Sequence, residues 1–161
     1  NWNFGRDRTD LLLAELQDWR QNYLPLDVKG KTVLDVGAGK GESAYFYLAN
    51  GAKQVIAIEP VAENFRYLRE NAKHHNIVPL NKYFELTDLT DYMFDFAKID
   101  IEGWEEMLLD IDPVKPMVVE VHGNQLMGKF IKKGYAYKNL NDIAGCCNYA
   151  YWIPYSCVVG V

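Results

Sequence analysis

Apolar positions along this chain switch repeatedly between a helical period and short runs of the β-strand type. Leu12, Leu16, Trp19 and Tyr23 recur at helical spacing between a capping Thr9 or Asp10 and Pro25, which predicts an N-terminal helix. After a turn at Lys29-Gly30, Thr32 to Val36 is a short β-branched run that stops at glycines. Next come a predicted helix from Glu42 to about Ala49, a strand from Gln54 to Glu59, a longer helix from Val61 to about His75, and a strand from Ile77 to Leu80. Thr87 to Tyr92 has room for a turn or two of helix. Phe94 to Asp100 predicts a fourth strand, Trp104 to Leu109 a helix, Met117 to His122 a fifth strand and Leu126 to Lys133 a helix. Two tyrosine-rich, strand-like stretches follow Gly134.

Strands and helices that alternate at this spacing imply βαβ crossovers, hence a parallel sheet covered on both faces, an α/β fold. In such a sheet ligands bind outside the carboxyl ends of the strands, near the point where strand order reverses. That rule selects Asp35 to Ser43, Glu59-Pro60, Asp100 to Gly103 and His122 to Asn124 for chemical reading. The length of 161 residues fits one domain over 1–161, with residues 1–28 as an N-terminal helix packed on the core.

Composition and charge exclude several classes. The apolar (49%) and charged (24%) fractions are those of a globular protein, and no apolar run approaches the roughly 20 residues of a membrane helix. Leu11 to Ala14 is too short for a signal-peptide core. Cys146, Cys147 and Cys157 read as reduced thiols in a cytoplasmic protein rather than a disulfide framework. Ten acidic residues stand between Glu85 and Asp112 against the single Lys98. That disfavours nucleic acid, whose partners carry a basic stripe. The nearest basic groups, Arg66, Arg69, Lys73 and Lys82, and Lys129, Lys132 and Lys133, read as solvated faces.

The strongest chemical signal is Val33 to Ser43, VLDVGAGKGES. Gly37, Gly39 and Gly41 follow a strand and open a helix, where glycine lets the backbone turn tightly against a ligand. A dinucleotide fingerprint would need its last glycine at position 42, which is Glu42, a carboxylate where a pyrophosphate needs attraction. With Asp35 ahead of the turn, the pattern suits a cationic, phosphate-free cofactor, S-adenosylmethionine. Gly37, Ala38, Gly39, Gly41 and Ser43 are its expected cradle. Glu59 ends the second strand about 20 residues on, where a carboxylate accepts both ribose hydroxyls, and Pro60 starts the next helix. A pocket-facing Glu59 should leave folding nearly untouched when removed. The plainer reading of the loop is a turn without a ligand.

The fourth strand adds FAKIDIEGWEEML. Alternation places Lys98, Asp100 and Glu102 on one side and Ile99 and Ile101 on the other, and three charges on one face must pair or serve a ligand. Asp100 is expected to face the donor methyl, near the ammonium and sulfonium. In the plainer reading Lys98 pairs with one of the acids and Glu102 or Glu105 caps the following helix. His122, ending the fifth strand, is a candidate neutral base for an acceptor hydroxyl, or else a histidine bonded to loop backbone. Asp100, Glu102 and His122 have the donor types of a small metal site, although no spacing demands one, and none is assigned. His74 and His75 end a helix and receive no catalytic role. Tyr135, Tyr137, Tyr149, Tyr151, Trp152 and Tyr155 read as packing before sugar stacking, and Ile153-Pro154-Tyr155 carries no signal of amine methylation.

DVGAGKGES, AIEP followed by FRYLRENAKHHN, KIDIEGWE and VVEVHG together resemble a class I S-adenosylmethionine-dependent methyltransferase, and within that group the FkbM family. The resemblance runs from about Thr32 to Tyr137, and the Lys98 to Glu105 stretch is its most particular part. It implies a Rossmann-like, doubly wound sheet of about seven strands, mostly parallel with an antiparallel last strand. It also implies methyl transfer to hydroxyl oxygen, often on sugars or small metabolites, with Asp100, His122 and Glu102 as the catalytic candidates. The segment from Ile77 to Phe94 is shorter than in that family, so Asn81, Glu85 and Asp88 are only candidates for the adenine side; the chain is also shorter overall than is usual there, so the acceptor cap is expected to be reduced or missing. An RNA or nitrogen methyltransferase, and a non-catalytic cofactor-binding module working through a partner, are the alternatives. The sequence is silent on oligomeric state.

Overall fold

The computed structural model describes residues 2–5, 19–20, 22–24, 26–113, 115–138 and 147–153. Of the predicted N-terminal helix, Trp19, Arg20, Asn22 and Tyr23 fall within them, with the Tyr23 amide donating to the Trp19 carbonyl at 2.7 Å. Thr9, Asp10, Leu12, Leu16, Pro25, Cys146, Pro154, Tyr155 and Cys157 lie outside the described residues.

In chain order the elements are β1 (Thr32–Val36), α1 (Glu42–Ala49), β2 (Gln54–Ile58), α2 (Ala62–Ala72), β3 (Ile77–Leu80), α3 (Asp88–Asp91), β4 (Phe96–Ile99), a 3-10 helix (Glu105–Asp110), β5 (Met117–His122), α4 (Asn124–Lys133), β6 (Ala136–Lys138) and β7 (Cys147–Trp152). They form one seven-stranded sheet in the order β3-β2-β1-β4-β5-β7-β6. The pairs β1–β2, β1–β4, β2–β3 and β4–β5 are parallel, while β7 runs antiparallel to both β5 and β6. The chain winds outward from β1 through β3 and then crosses back to β4, so the switch point lies between β1 and β4.

The pleat sorts the core into two layers. Val33, Val55, Ala57, Phe96, Val118, Tyr149 and Tyr151 pack with Ala44, Phe46 and Tyr47 of α1 and Leu68 of α2 on one face. Leu34, Val36, Ile56, Ile58, Ala97, Ile99, Val119, Val121 and Ala150 pack on the other with Leu89, Leu108, Met127 and Phe130. Strands buried on both faces read as near-continuous apolar runs, as β1, β2 and β5 do apart from Asp35 and Glu120. The polar interruptions Asp35, Lys98 and Glu120 share the parity of the first layer, so their side chains meet beneath Tyr23 and Tyr149. Of the late aromatics, Tyr135, Tyr149 and Tyr151 are buried as packing predicts, whereas Tyr137 is exposed and does not pack.

Two predicted elements are altered. β4 stops at Ile99, and Glu102 adopts a left-handed backbone (φ 52°), so alternation ends at Asp100. The predicted helix from Trp104 is a 3-10 helix, fitted between Gly103 (φ 99°) and Pro113.

Candidate active site

The glycine turn is shaped by its neighbours. Gly37 (φ 72°) and Ala38 both donate their amides to the Ile58 carbonyl at 3.0 Å, tying the turn to the end of β2. A Cβ on Gly37 would lie 1.8 Å from the Asp100 carbonyl oxygen, so only glycine lets the turn pass this close to the end of β4. Glu59 clasps the turn from the other side. Its Oε2 accepts the Gly39 amide and its Oε1 the Val61 amide, both at 2.8 Å. Burial raises the Glu59 pKa above the usual carboxylate value, against the pull of those amides. The Glu42 carboxylate accepts the Lys40 amide at 2.7 Å, inside the same loop.

Beneath the turn lies an ionic stack. Asp35 and Lys98 sit opposite each other on β1 and β4, with Nζ 3.4 Å from Oδ1. Lys98 Nζ also stands 3.7 Å from Asp100 and donates to the Val36 and Gly37 carbonyls at 3.2 and 2.9 Å. Burial opposes its charge, yet Asp35, Asp100 and Glu120 outweigh that and raise its pKa. Ser43 Oγ donates to Asp35 at 2.6 Å, and burial still lifts the Asp35 pKa above its ordinary value. Asp100 Oδ1 is buried and has no hydrogen-bond partner among the described residues.

At the carboxyl end of β5 stands a second ion pair. His122 Nδ1 lies 3.0 Å from Oε1 of fully buried Glu105, which also accepts the Gly103 amide at 2.8 Å. The exposed Glu102 carboxylate is 3.5 Å from His122 Nε2. The Glu105 bond, opposed by burial and aided by the Asp100 and Glu102 charges, raises the His122 pKa to about 9. Burial works against the Glu105 charge, but the His122 bond and the Gly103 amide keep its pKa below the usual value. Between the two pairs, Tyr23 donates its phenol to Glu120, and burial together with the Glu120 charge raises the Tyr23 pKa far above normal.

A cleft of about 1250 Å³ opens over these groups. Gly37, Ala38, Gly39, Ser43, Glu59, Pro60, Asp100 and Glu102 line it, all at positions singled out from sequence. Three expectations need correction. Asp35 is fully buried under the turn and supports it through Ser43 and Lys98 instead of lining the cleft. Gly41 (φ 101°) opens α1 as its N-cap, as expected, but is not among the residues that line the cleft. His122 is held as an imidazolium by Glu105, so it is not the neutral base expected at working pH, and it does not line the cleft. Asp100 and His122 do converge: with Glu120 they bring ligand-type atoms within 4.8 Å of one another. Glu120 thus takes the place expected of Glu102 in that cluster. Glu105 already engages the imidazole and Tyr23 engages Glu120, and no metal is assigned.

The adenine-side candidates also move. Asn81 donates to the Glu59 carbonyl at 2.8 Å, while Asp88 is a buried partner of Lys82 and of the Glu85 amide. Tyr83 and Phe84, between them, line the cleft instead. Sequence reading also missed Tyr23, Glu120, Tyr149 and the exposed Trp104 as lining groups. For Glu120 a signal existed: a lone carboxylate interrupting the apolar run of β5, in phase with Lys98.

No family model matches the chain. Protein 65 of a Sulfolobus islandicus filamentous virus, an uncharacterised protein, is 35% identical over 100 residues, which are 60% of this chain and 63% of that protein. A tRNA U34 carboxymethyltransferase of Haemophilus influenzae is 33% identical over 76 residues, 39% of this chain and 24% of the enzyme. The chain therefore spans less than two thirds of either relative. Aeropyrum pernix fibrillarin, solved with natively bound S-adenosyl-L-methionine, superposes with a TM-score of 0.65 at 14% identity, over 86% of this chain and 74% of that one. A ribosomal protein L11 methylase from Lactobacillus delbrueckii subsp. bulgaricus gives 0.58 at 20% identity, over 92% and 79%. The fold is that of the class I methyltransferases. Among the described residues no helix is long and apolar enough to cross a membrane.

Proposed function

We propose that the chain is an S-adenosylmethionine-dependent methyltransferase similar to the FkbM family, acting on a hydroxyl of a sugar or another small acceptor. One observation carries the reading. The cleft joins a glycine turn to the carboxylates of Glu59, Asp100 and Glu120, and Lys98, the one cation lining it among the described residues, is already paired. That donor set fits a sulfonium and an ammonium and repels a pyrophosphate. The buried, unpartnered Asp100 Oδ1 is aptly placed for a cationic ligand. When bound, S-adenosylmethionine supplies an electrophilic methyl group: the carbon–sulfur bond breaks, an oxygen–carbon bond forms, and S-adenosylhomocysteine and a proton are left.

The chain's own residues do the rest. Gly37 to Gly39 present backbone to the cofactor, and the remaining lone pairs of Glu59 accept from ribose hydroxyls. Asp100 offsets the cofactor's positive charge. The acceptor proton passes to a carboxylate, Asp100 or Glu120, because His122 is already protonated at neutral pH. Trp104 (74% exposed) and Tyr83 (79%) offer ring faces at the cleft for a sugar to stack on. KIDIEGWE is the feature that favours an FkbM-like oxygen acceptor.

A second reading, an RNA acceptor, is favoured by the match to the tRNA-modifying enzyme and by the same rings, which would stack bases equally well. The exposed Glu102 and Glu106 weigh against a phosphate backbone. Transfer of labelled methyl to a panel of oligosaccharides and to total RNA separates the readings. Label in the carbohydrate fraction is the expected result. Label in RNA alone would replace it with the second reading, and cofactor binding with no transfer to either would indicate a non-catalytic module.

A further inference from the structure

Residues 2–5 lie against the glycine turn without lining the cleft. Trp2 stacks on His75 with ring centroids 3.9 Å apart and meets Tyr45 of α1 edge-on at 5.2 Å. The Asn3 amide donates to Asn71 Oδ1 at 2.7 Å, and Asn71 Nδ2 donates back to the Asn3 carbonyl at 2.9 Å. The same Nδ2 donates to the carbonyl of Lys40, within the turn, at 3.0 Å. Lys40 Nζ in turn donates to the Phe4 carbonyl at 3.1 Å and lies over the Tyr67 ring. Asn71 sits on α2 and is 1% exposed, so its own end of its three bonds is shielded from water.

We propose that residues 2–5 are a strap that holds the glycine turn in its ligand-receptive shape, with Asn71 as the positioning residue between strap and turn. A buried amide side chain has one acceptor and two donor hydrogens, and here all three are used at once. If the strap leaves, Asn71 Oδ1 and one of its N–H groups lose their partners in a site that excludes water, and the side chain must reorient or admit solvent. Either response loosens its hold on the Lys40 carbonyl. The turn then samples other shapes, and a ligand must first select the receptive one, which lowers its apparent affinity by the fraction populated. Trp2 stacks on His75, meets Tyr45 and packs against the core, so removing its ring should loosen the strap. S-adenosylhomocysteine serves as the ligand below, and to that extent the test rests on the cofactor reading.

The experiment compares wild type, Trp2→Ala and Asn71→Ala by hydrogen exchange without ligand and by calorimetric titration with S-adenosylhomocysteine. Both variants should exchange faster across residues 38–45 and bind about tenfold more weakly, the scale of one or two lost buried hydrogen bonds. Trp2→Ala keeps the inference testable if Asn71→Ala fails to fold. Wild-type exchange in a folded variant overturns the strap. Faster exchange with unchanged affinity overturns its role in binding. If wild type itself does not bind S-adenosylhomocysteine, the cofactor reading fails while the exchange rates still decide whether the strap holds the turn.

Discussion

The two halves of the cleft hold their carboxylates in different ways. On the β1–β2 side Glu59 and Glu42 accept backbone amides, from Gly39, Val61 and Lys40, so charge there fixes the path of the chain. On the β4–β5 side, and under the turn at Asp35 of β1, the acids are matched mainly to side chains: Asp35 and Asp100 to Lys98, Glu105 to His122 beside the Gly103 amide, and Glu120 to Tyr23. A carboxylate bound to amides has partners that carry no titrating charge, so its bonds depend on its own ionisation alone. One bound to Lys, His or Tyr shares its charge state with its partner. The first half is a cradle tied to backbone, and the second is a set of charges whose pKa values depend on one another.

The largest expected effect lies in the coupled half. Lys98→Met would leave Asp35 and Asp100 without their cation in a buried site, at a cost of about 3–5 kcal/mol in urea unfolding at pH 7. The deficit should shrink below about pH 5, where unpaired carboxylates take up protons. A cost that stayed constant with pH would mean that Lys98 matters by packing alone. Gly37→Ala tests the cradle, where a left-handed φ and a Cβ 1.8 Å from the Asp100 carbonyl predict a loss of roughly 2–4 kcal/mol. Chemical denaturation at pH 6 and pH 8 should give the same loss.

Glu59→Ala tests whether cradle and binding site are one device. From sequence it should weaken cofactor binding by roughly 1.5–3 kcal/mol and leave folding nearly unchanged. Because Glu59 accepts two amides, the structure adds a stability loss of about 1–2 kcal/mol, measurable by melting without ligand. An unaltered melting temperature would mean the clasp is idle.

The smallest effect is expected at His122. Its pKa is raised to about 9 in the fold from an ordinary 6.5, so its pairing with Glu105 stabilises the fold fully below pH 6.5 and is lost as pH rises through 9. His122→Ala should therefore lose about 1–2 kcal/mol near pH 6, discounted for its partial exposure, and differ little from wild type at pH 10. A deficit that grew with pH would reverse the assigned charge state.

How far the sequence could be read follows the same division. Sheet order apart, every strand from β1 to β5 and the turn between β1 and α1 were legible, because glycine placement and apolar runs are local properties. Glu59 was legible as a site residue for the same reason, but not its two amides, which exist only once β2 and α2 meet the turn. In the other half, single-residue chemistry misled. His122 looks like a neutral base until Glu105, seventeen positions away, is seen to be buried beneath it. Glu120 looks like a stray carboxylate until Tyr23 arrives from the other end of the chain. Asp35 looks like a ligand group until the β1–β4 register sets Lys98 opposite it.

The central claim is that this cleft is built for a cationic, phosphate-free nucleoside. Calorimetric titration of wild-type protein with S-adenosylmethionine, S-adenosylhomocysteine and NAD tests it most directly. Saturable binding of the two sulfur nucleosides is expected, with the sulfonium form losing more affinity than the neutral one in Asp100→Asn, and no binding of NAD. Saturable NAD binding without S-adenosylhomocysteine binding would contradict it.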